Sequence, residues 1–120
     1  MNSIICKFQI AGFHCWPNAP KEFKYLESPH RHMFHWEVSI NEDDPNRGIE
    51  FIHFKNILTA LIIKNFSPVP NEPMTINFGN FSCEHIAMAT KEIINKNFST
   101  YKINYIKVLE DNENGALIDG

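Results

Sequence analysis

Two stretches near the start of the chain alternate between apolar and polar side chains. In residues 3–14 the apolar side chains fall mainly on even positions, and the same alternation recurs from Phe34 to about Asn41. Successive side chains of a strand point to opposite faces of a sheet, so each stretch predicts a strand with one buried face. Lys21 to Pro29 is predicted to be a connecting loop, and the two strands are expected to form a hairpin.

The pattern then changes to helical spacing. A helix is predicted from about Phe51 to Asn65, and a second from Cys83 to about Asn97 with Ser82 as its N-cap. The apolar stripes expected to be buried are Phe51, Phe54, Leu58, Leu61 and Ile62 in the first helix, and Ile86, Ala89, Ile93 and Ile94 in the second. Residues 67–80, which contain three prolines, are predicted to be a loop.

The C-terminal quarter returns to strand patterns. Lys102 to Glu110 is predicted to be a strand, residues 111–115 a turn, and Ala116 to Ile118 a short closing strand. One face of the longer strand is expected to carry Ile103, Tyr105, Lys107 and Leu109. The order β-β-α-α-β-β predicts an α+β fold, an antiparallel four-stranded sheet with two helices on one face.

Composition excludes several classes of protein. The 120 residues are expected to form one domain, small enough for oligomerisation to add stability. A net charge of -3 without a basic run argues against nucleic-acid binding. No apolar stretch is long enough for a membrane span, and no signal peptide is evident. Three cysteines without a framework spacing indicate free thiols in a reducing compartment, so a cytoplasmic location is expected.

Three histidines share the predicted buried faces of the hairpin. His30 and His32 have the parity of the large apolar residues of the second strand, and His14 has that of the first. In a hairpin they would meet near one end, and three His ligands with an open fourth position describe a catalytic zinc site. The alternative is that they are core or surface histidines. His35 has the opposite parity, and His53 and His85 are interpreted as surface or packing residues.

Several short motifs resemble those of the tunnelling-fold family, which includes 6-pyruvoyl-tetrahydropterin synthase and 6-carboxytetrahydropterin synthase. His14 matches the histidine that ends the family's first strand, and His30-Arg31-His32-Met33-Phe34 resembles the His-Gly-His that opens the second. Further matches are loose and lie at Gly48–Lys55, Phe81–His85 and Val108–Glu110. The resemblance implies a Zn²⁺ cofactor held by the three histidines, ring-like homo-oligomers, and a pterin or purine-like ligand.

Two carboxylates are candidates for binding that ligand. Glu110 matches the family's pterin-anchoring Glu, and Glu84 matches the Glu at the start of the second helix. A carboxylate that accepts two parallel N–H bonds fits a 2-amino-4-oxo heterocycle. The alternative is that Glu110 is merely a solvated residue before a turn. The acidic run of residues 110–114 is either only a turn or the source of a second hydrogen-bonding group. Arg31 is expected to form a salt bridge or an anion contact.

The chain departs from the family at its catalytic positions. Leu26 stands where the family has a nucleophilic Cys, and residues 61–64 lack the family's Asp-His pair. Cys83 is a candidate substitute, because the N-terminus of a helix lowers the pKa of a thiol. The alternative is that Cys83 is a small, partly buried residue. Cys6 is expected in the core, and Cys15 is expected to face away from the site as a structural residue.

These observations give three competing functions. The leading interpretation is a zinc-dependent lyase, active on dihydroneopterin triphosphate or a related compound of pterin or 7-deazaguanine metabolism. The alternative is a non-catalytic protein that binds or sequesters a pterin or purine. The third is a structural module whose histidines are satisfied in the core.

Overall fold

Six strands and two α-helices build the fold of this chain, in a computed structural model that describes residues 1–120. The strands are β1 (Ser3–His14), β2 (His30–Asn41), β3 (Ser67–Val69), β4 (Glu72–Asn77), β5 (Lys102–Glu110) and β6 (Asn114–Asp119). The helices are α1 (Phe51–Asn65) and α2 (Cys83–Asn97), and a 3₁₀ segment spans Lys21–Leu26. Both α-helices have the predicted bounds. No helix combines the length and apolar character that crossing a bilayer would require.

The sheet is larger than predicted and is mixed. Its strand order is β3-β4-β1-β2-β5-β6, and β4 runs parallel to β1 while every other pair is antiparallel. The prediction of a four-stranded antiparallel sheet, with a loop over residues 67–80, is therefore wrong. The prolines of this segment made its strands unrecognisable from the sequence. Pro68 lies in the three-residue edge strand β3, where a missing N–H is tolerated.

A long hairpin of β1 and β2 forms the centre of the sheet. The pairing runs without a break from Ser3 opposite Asn41 to His14 opposite His30. Even-numbered side chains of both strands face the helices, and the largest of them, Phe34 and Trp36, are almost fully buried. The Trp36 indole N–H donates to Thr90 Oγ1 of α2 at 3.0 Å, which satisfies its one polar group.

A register shift between β2 and β5 changes which residues of β5 are buried. The shift lies between Ser39 and Ile40, and it leaves Ile103, Ile106 and Val108 in the core. Tyr105, Lys107 and Leu109 share one face as predicted, but the shift places Ile103 on the opposite, buried face. The inner face continues from Val108 to Glu110, which pairs with the buried Phe34, so this carboxylate lies on the helix side of the sheet.

The helices bury stripes that differ from those their spacing predicted, narrower in α1 and shifted in α2. α1 buries Phe54, Leu58 and Ile62, whereas Phe51 remains 51% exposed in the first turn. In α2 the core positions include Ala87 and Thr90 in place of the predicted Ala89, which is only partly buried. The two helices together leave the opposite face of the sheet uncovered.

Candidate metal centre

The end of the β1–β2 hairpin brings three histidines together. His14 and His30 are cross-strand partners, and His32 follows two residues later on the same face. Their ring centroids are 4.6 Å apart for His14 and His30, 5.4 Å for His14 and His32, and 5.1 Å for His30 and His32. One ring nitrogen from each lies within 4.8 Å of the other two. The predicted grouping of these residues is confirmed; their binding of zinc stays a prediction.

The Nδ1 atom of each ring has a partner that can only accept a hydrogen bond. His14 Nδ1 lies 2.8 Å from the Phe81 carbonyl oxygen, and His30 Nδ1 lies 2.9 Å from that of Ser28. His32 Nδ1 lies 2.7 Å from a carboxylate oxygen of Asp111. We therefore assign the proton of each neutral ring to Nδ1, which leaves all three Nε2 lone pairs free. This is the arrangement in which histidines ligate metals.

His14 supplies the test of whether a metal fits. Its side chain is buried, and its Nε2 atom has no hydrogen-bond partner. Buried polar atoms are rarely left in this state unless a further group satisfies them. Burial also lowers the pKa of His14, so its ring is neutral at physiological pH and its lone pair is available. Three neutral imidazoles form a nitrogen donor set that suits Zn²⁺.

Asp111 supports the site from a distant part of the chain. Its carboxylate accepts a hydrogen bond from His32 Nδ1 and another, at 2.9 Å, from the Met33 N–H. These two donors, with the Met33 N–H the larger influence, lower the pKa of Asp111 and keep it ionised. The acidic turn was expected to offer a second hydrogen-bonding group, but no local pattern indicated that this group would orient a histidine.

A cleft of roughly 400 Å³ opens beside the three histidines. It is lined by His14, His30 and both predicted ligand-binding carboxylates, Glu84 and Glu110. The apolar part of its lining includes Trp16, Leu26 and Phe81. A concave site with an apolar wall and a few convergent polar groups is the usual form of a small-molecule site. Four of the six predicted site residues line this cleft, and His32 adjoins them through its contacts with His14 and His30.

Glu110 lies closer to the histidines than the sequence indicated. Its Oε2 atom is 2.9 Å from His14 Nε2, and its Oε1 atom is 3.7 Å from His32 Nε2. The side chain is 30% exposed, so it also reaches the cleft. Position 110 pairs with Phe34 in the sheet, which places the carboxylate beside the histidine-bearing end of β2.

Cys83 does not have the predicted lowered pKa. Burial of its side chain, reinforced by the charges of Glu110 and Glu84, raises the pKa of the thiol to about 12. The lowered pKa predicted from the helix N-terminus is therefore wrong, because desolvation and two carboxylates outweigh the effect of the helix. Catalysis by Cys83 stays a prediction without that support. Cys6 lies in the core, as predicted.

Cys15 lies in the cleft instead of facing away from it. The strand ends at His14, so the alternation that predicted an outward direction no longer applies at the next residue. The backbone N–H of Cys15 donates to the Gly79 carbonyl oxygen at 2.8 Å, which turns the chain toward the start of α2. The position of Cys15 therefore indicates a residue of the cleft and not the outward-facing structural residue that was expected.

His85 also lines the cleft, although its sequence context suggested only a surface or packing residue. It forms a capping box with Ser82: the Ser82 N–H donates to His85 Nδ1 at 3.3 Å. Nδ1 is therefore the acceptor, and Nε2 carries the proton of the neutral ring. A capping box is usually signalled by Glu or Gln at this position, so the histidine gave no clear signal in the sequence. Arg31 is exposed and forms no ion pair, so the first predicted alternative, a salt bridge, is absent, and the anion contact stays a prediction.

Comparison with known proteins establishes the fold. No family model matches the chain, and no curated sequence matches it. Among solved structures, it is similar to 6-pyruvoyl tetrahydropterin synthase of Caenorhabditis elegans, with a TM-score of 0.65 and 13% identity over 99% of this chain and 95% of that chain. It is also similar to an uncharacterized protein of Wolinella succinogenes, with a TM-score of 0.68 and 12% identity over 99% and 98% of the two chains. The chain therefore has the tunnelling fold that its motifs predicted.

Proposed function

We propose that this protein binds zinc through His14, His30 and His32 and holds a pterin or purine-like ligand in the adjoining cleft. The observation that carries the proposal is the convergence of three free Nε2 lone pairs at a cleft that also contains two carboxylates. A zinc ion bound there would act as a Lewis acid toward an oxygen of the ligand. The similarity in fold to 6-pyruvoyl tetrahydropterin synthase supports this class of ligand.

The remaining groups of the cleft suit a flat ring with N–H donors along one edge. Glu84 and Glu110 accept hydrogen bonds, and His85 donates one from Nε2. Trp16, which is 45% exposed, offers an aromatic surface for stacking. Pterins and guanine-type purines present this combination of N–H donors, a carbonyl oxygen and a planar ring.

Lyase activity on dihydroneopterin triphosphate is the catalytic form of the proposal. Binding without turnover is its competitor, and Leu26 favours it: this side chain lines the cleft and can neither form a thiolate nor transfer a proton. Cys83, whose pKa is raised to about 12, does not replace the missing group as a thiolate near neutral pH.

A turnover assay with zinc-replete protein distinguishes the lyase from the protein that binds without turnover. Dihydroneopterin triphosphate is incubated with the protein, triphosphate release and pterin products are followed together, and calorimetry measures pterin binding in parallel. Product formation establishes the lyase. Pterin binding without product supports the binding protein, and the absence of both with zinc bound contradicts the proposed ligand.

We also propose that the protein forms a homo-oligomer. The radius of gyration is 15.2 Å, against about 14 Å for a compact domain of this length, and the principal extents are 51, 31 and 23 Å. The extended sheet leaves β3 and β6 as free edges, which proteins commonly cover by association. Light scattering in solution gives the number of copies, and a monomer would contradict this assembly.

A further inference from the structure

Glu110 lies among the ring nitrogens of the candidate metal centre. Its Oε2 atom is 2.9 Å from His14 Nε2, yet the two atoms are not in hydrogen-bonding geometry. In an ordinary carboxylate–histidine pair at this distance, the ring N–H is directed at the carboxylate oxygen. Two ligand atoms of one metal ion are also close together, but their lone pairs are directed at the ion and not at each other. The second carboxylate oxygen, Oε1, lies 3.7 Å from His32 Nε2.

We propose that Glu110 is the fourth protein ligand of the metal, which makes the site a closed three-histidine, one-carboxylate centre in the absence of a small molecule. The inference rests on the metal-binding part of the proposed function and goes beyond it, because there Glu110 only anchors a ring. A carboxylate oxygen is an accepted ligand of Zn²⁺, and its negative charge offsets part of the charge of the ion in this half-buried site.

The position of Glu110 gives it two competing partners. The side chain is 30% exposed and lines the cleft, so the carboxylate that reaches the histidines also reaches any molecule bound there. Glu110 leaves the ring nitrogens when it accepts the N–H groups of a heterocycle, and the ligand then needs an oxygen to take its place. The cleft therefore selects molecules that carry both paired N–H donors and an oxygen within the same ring system.

Glu84 provides the matched control. It is a carboxylate that lines the same cleft, and it is exposed, but it makes no ion pair with His14, His30 or His32. Glu110→Gln keeps the size of the side chain and removes its charge, and Glu110→Ala removes the donor oxygens altogether. Circular dichroism of each variant shows whether the fold is kept.

The experiment measures metal binding, not turnover. Zn²⁺ affinity is determined by competition with a chromophoric chelator, and the visible spectrum of the Co²⁺-substituted protein reports coordination, because four-coordinate Co²⁺ absorbs more strongly than five- or six-coordinate Co²⁺. Glu110→Gln is expected to lower the affinity roughly tenfold or more, since even residues that only orient ligands cost that much. Glu84→Gln is expected to leave the affinity and the spectrum unchanged.

Added acetate tests whether Glu110 binds the metal directly or acts on it only through its charge. In Glu110→Ala it is expected to restore the wild-type Co²⁺ spectrum, whereas the wild-type spectrum itself should not respond. Unchanged Zn²⁺ affinity and an unchanged Co²⁺ spectrum in Glu110→Gln overturn the inference, and they leave the proposed function standing if pterin still binds. A wild-type protein that binds neither metal overturns both.

Discussion

Burial determines how the three thiols of the chain react. Cys6 and Cys83 are almost inaccessible, and burial is the largest influence raising the pKa of each. Cys15 is half-buried and lines the cleft. Because the thiolate is the reactive form of cysteine, burial and the raised pKa values of Cys6 and Cys83 disfavour reaction at these two thiols.

We expect one of the three thiols to react rapidly with a disulfide reagent in the folded protein at pH 8. Cys15→Ser should remove that reaction, and Cys83→Ser should leave it in place. The released chromophore gives the number of thiols, and peptide mass spectrometry identifies them. Rapid labelling of Cys83 in the folded state would contradict a thiol pKa of about 12 and restore it as a nucleophile.

The uncovered face of the sheet is held by charges and hydrogen bonds across the strands. Glu37 of β2 accepts a hydrogen bond from the Tyr105 hydroxyl of β5 at 2.5 Å, and Lys7 and Lys107 lie 3.7 and 3.5 Å from its Oε1 atom. The Tyr105 hydroxyl is the largest influence lowering the pKa of Glu37, and in return Glu37 raises the pKa of Tyr105. This network joins β1, β2 and β5 on the side that the helices do not cover.

The lowered pKa of Glu37 gives a stability that depends on pH. The unfolded chain binds this proton near pH 4.5, whereas the folded chain binds it only at lower pH, so the contribution is complete above pH 4.5 and is lost as the pH falls through the folded value. Tyr105→Phe should cost about 1 kcal/mol at pH 7 and weaken this dependence. Urea unfolding between pH 3 and pH 7 measures both. Tyr101→Phe, whose hydroxyl makes no hydrogen bond, is the control, and an equal effect there would contradict the assignment.

The candidate metal centre connects parts of the molecule that are far apart in sequence. His14 belongs to β1, and His30 and His32 belong to β2. The ring of His14 is held by the Phe81 carbonyl before α2, and that of His32 is held by Asp111 after β5. A bound ion would therefore restrain the central hairpin, the start of α2 and the β5–β6 turn together.

Zinc binding should stabilise the whole domain. At a free zinc concentration of 100 times Kd, the free energy of unfolding rises by about 2.7 kcal/mol. In a domain of this size that raises Tm by on the order of 10 °C. Thermal unfolding with zinc and after chelation measures the difference. His32→Ala should abolish it, and His35→Ala, on the opposite face of the same strand, should keep it. Equal melting with and without zinc would contradict the site.

Local patterns in the sequence were sufficient for the long elements and for the histidine group. The alternation in β1 and β2 and the spacing in α1 and α2 are local, and side-chain parity alone placed His14, His30 and His32 on one face. The motifs around them also predicted the fold that the structural comparison shows. These features depend on backbone periodicity, which any stretch of a few residues already carries.

Only the tertiary structure decided the rest, because it depends on residues that are distant in sequence. The parallel pairing of β4 with β1 made the sheet six-stranded, and the pairing of Glu110 with Phe34 across β5 and β2 placed its carboxylate beside the histidines. Asp111 contacts a histidine 79 residues away, and desolvation reversed the expected shift of the Cys83 pKa. Register, burial and electrostatic environment arise from packing, so a local pattern of apolar and polar residues does not contain them.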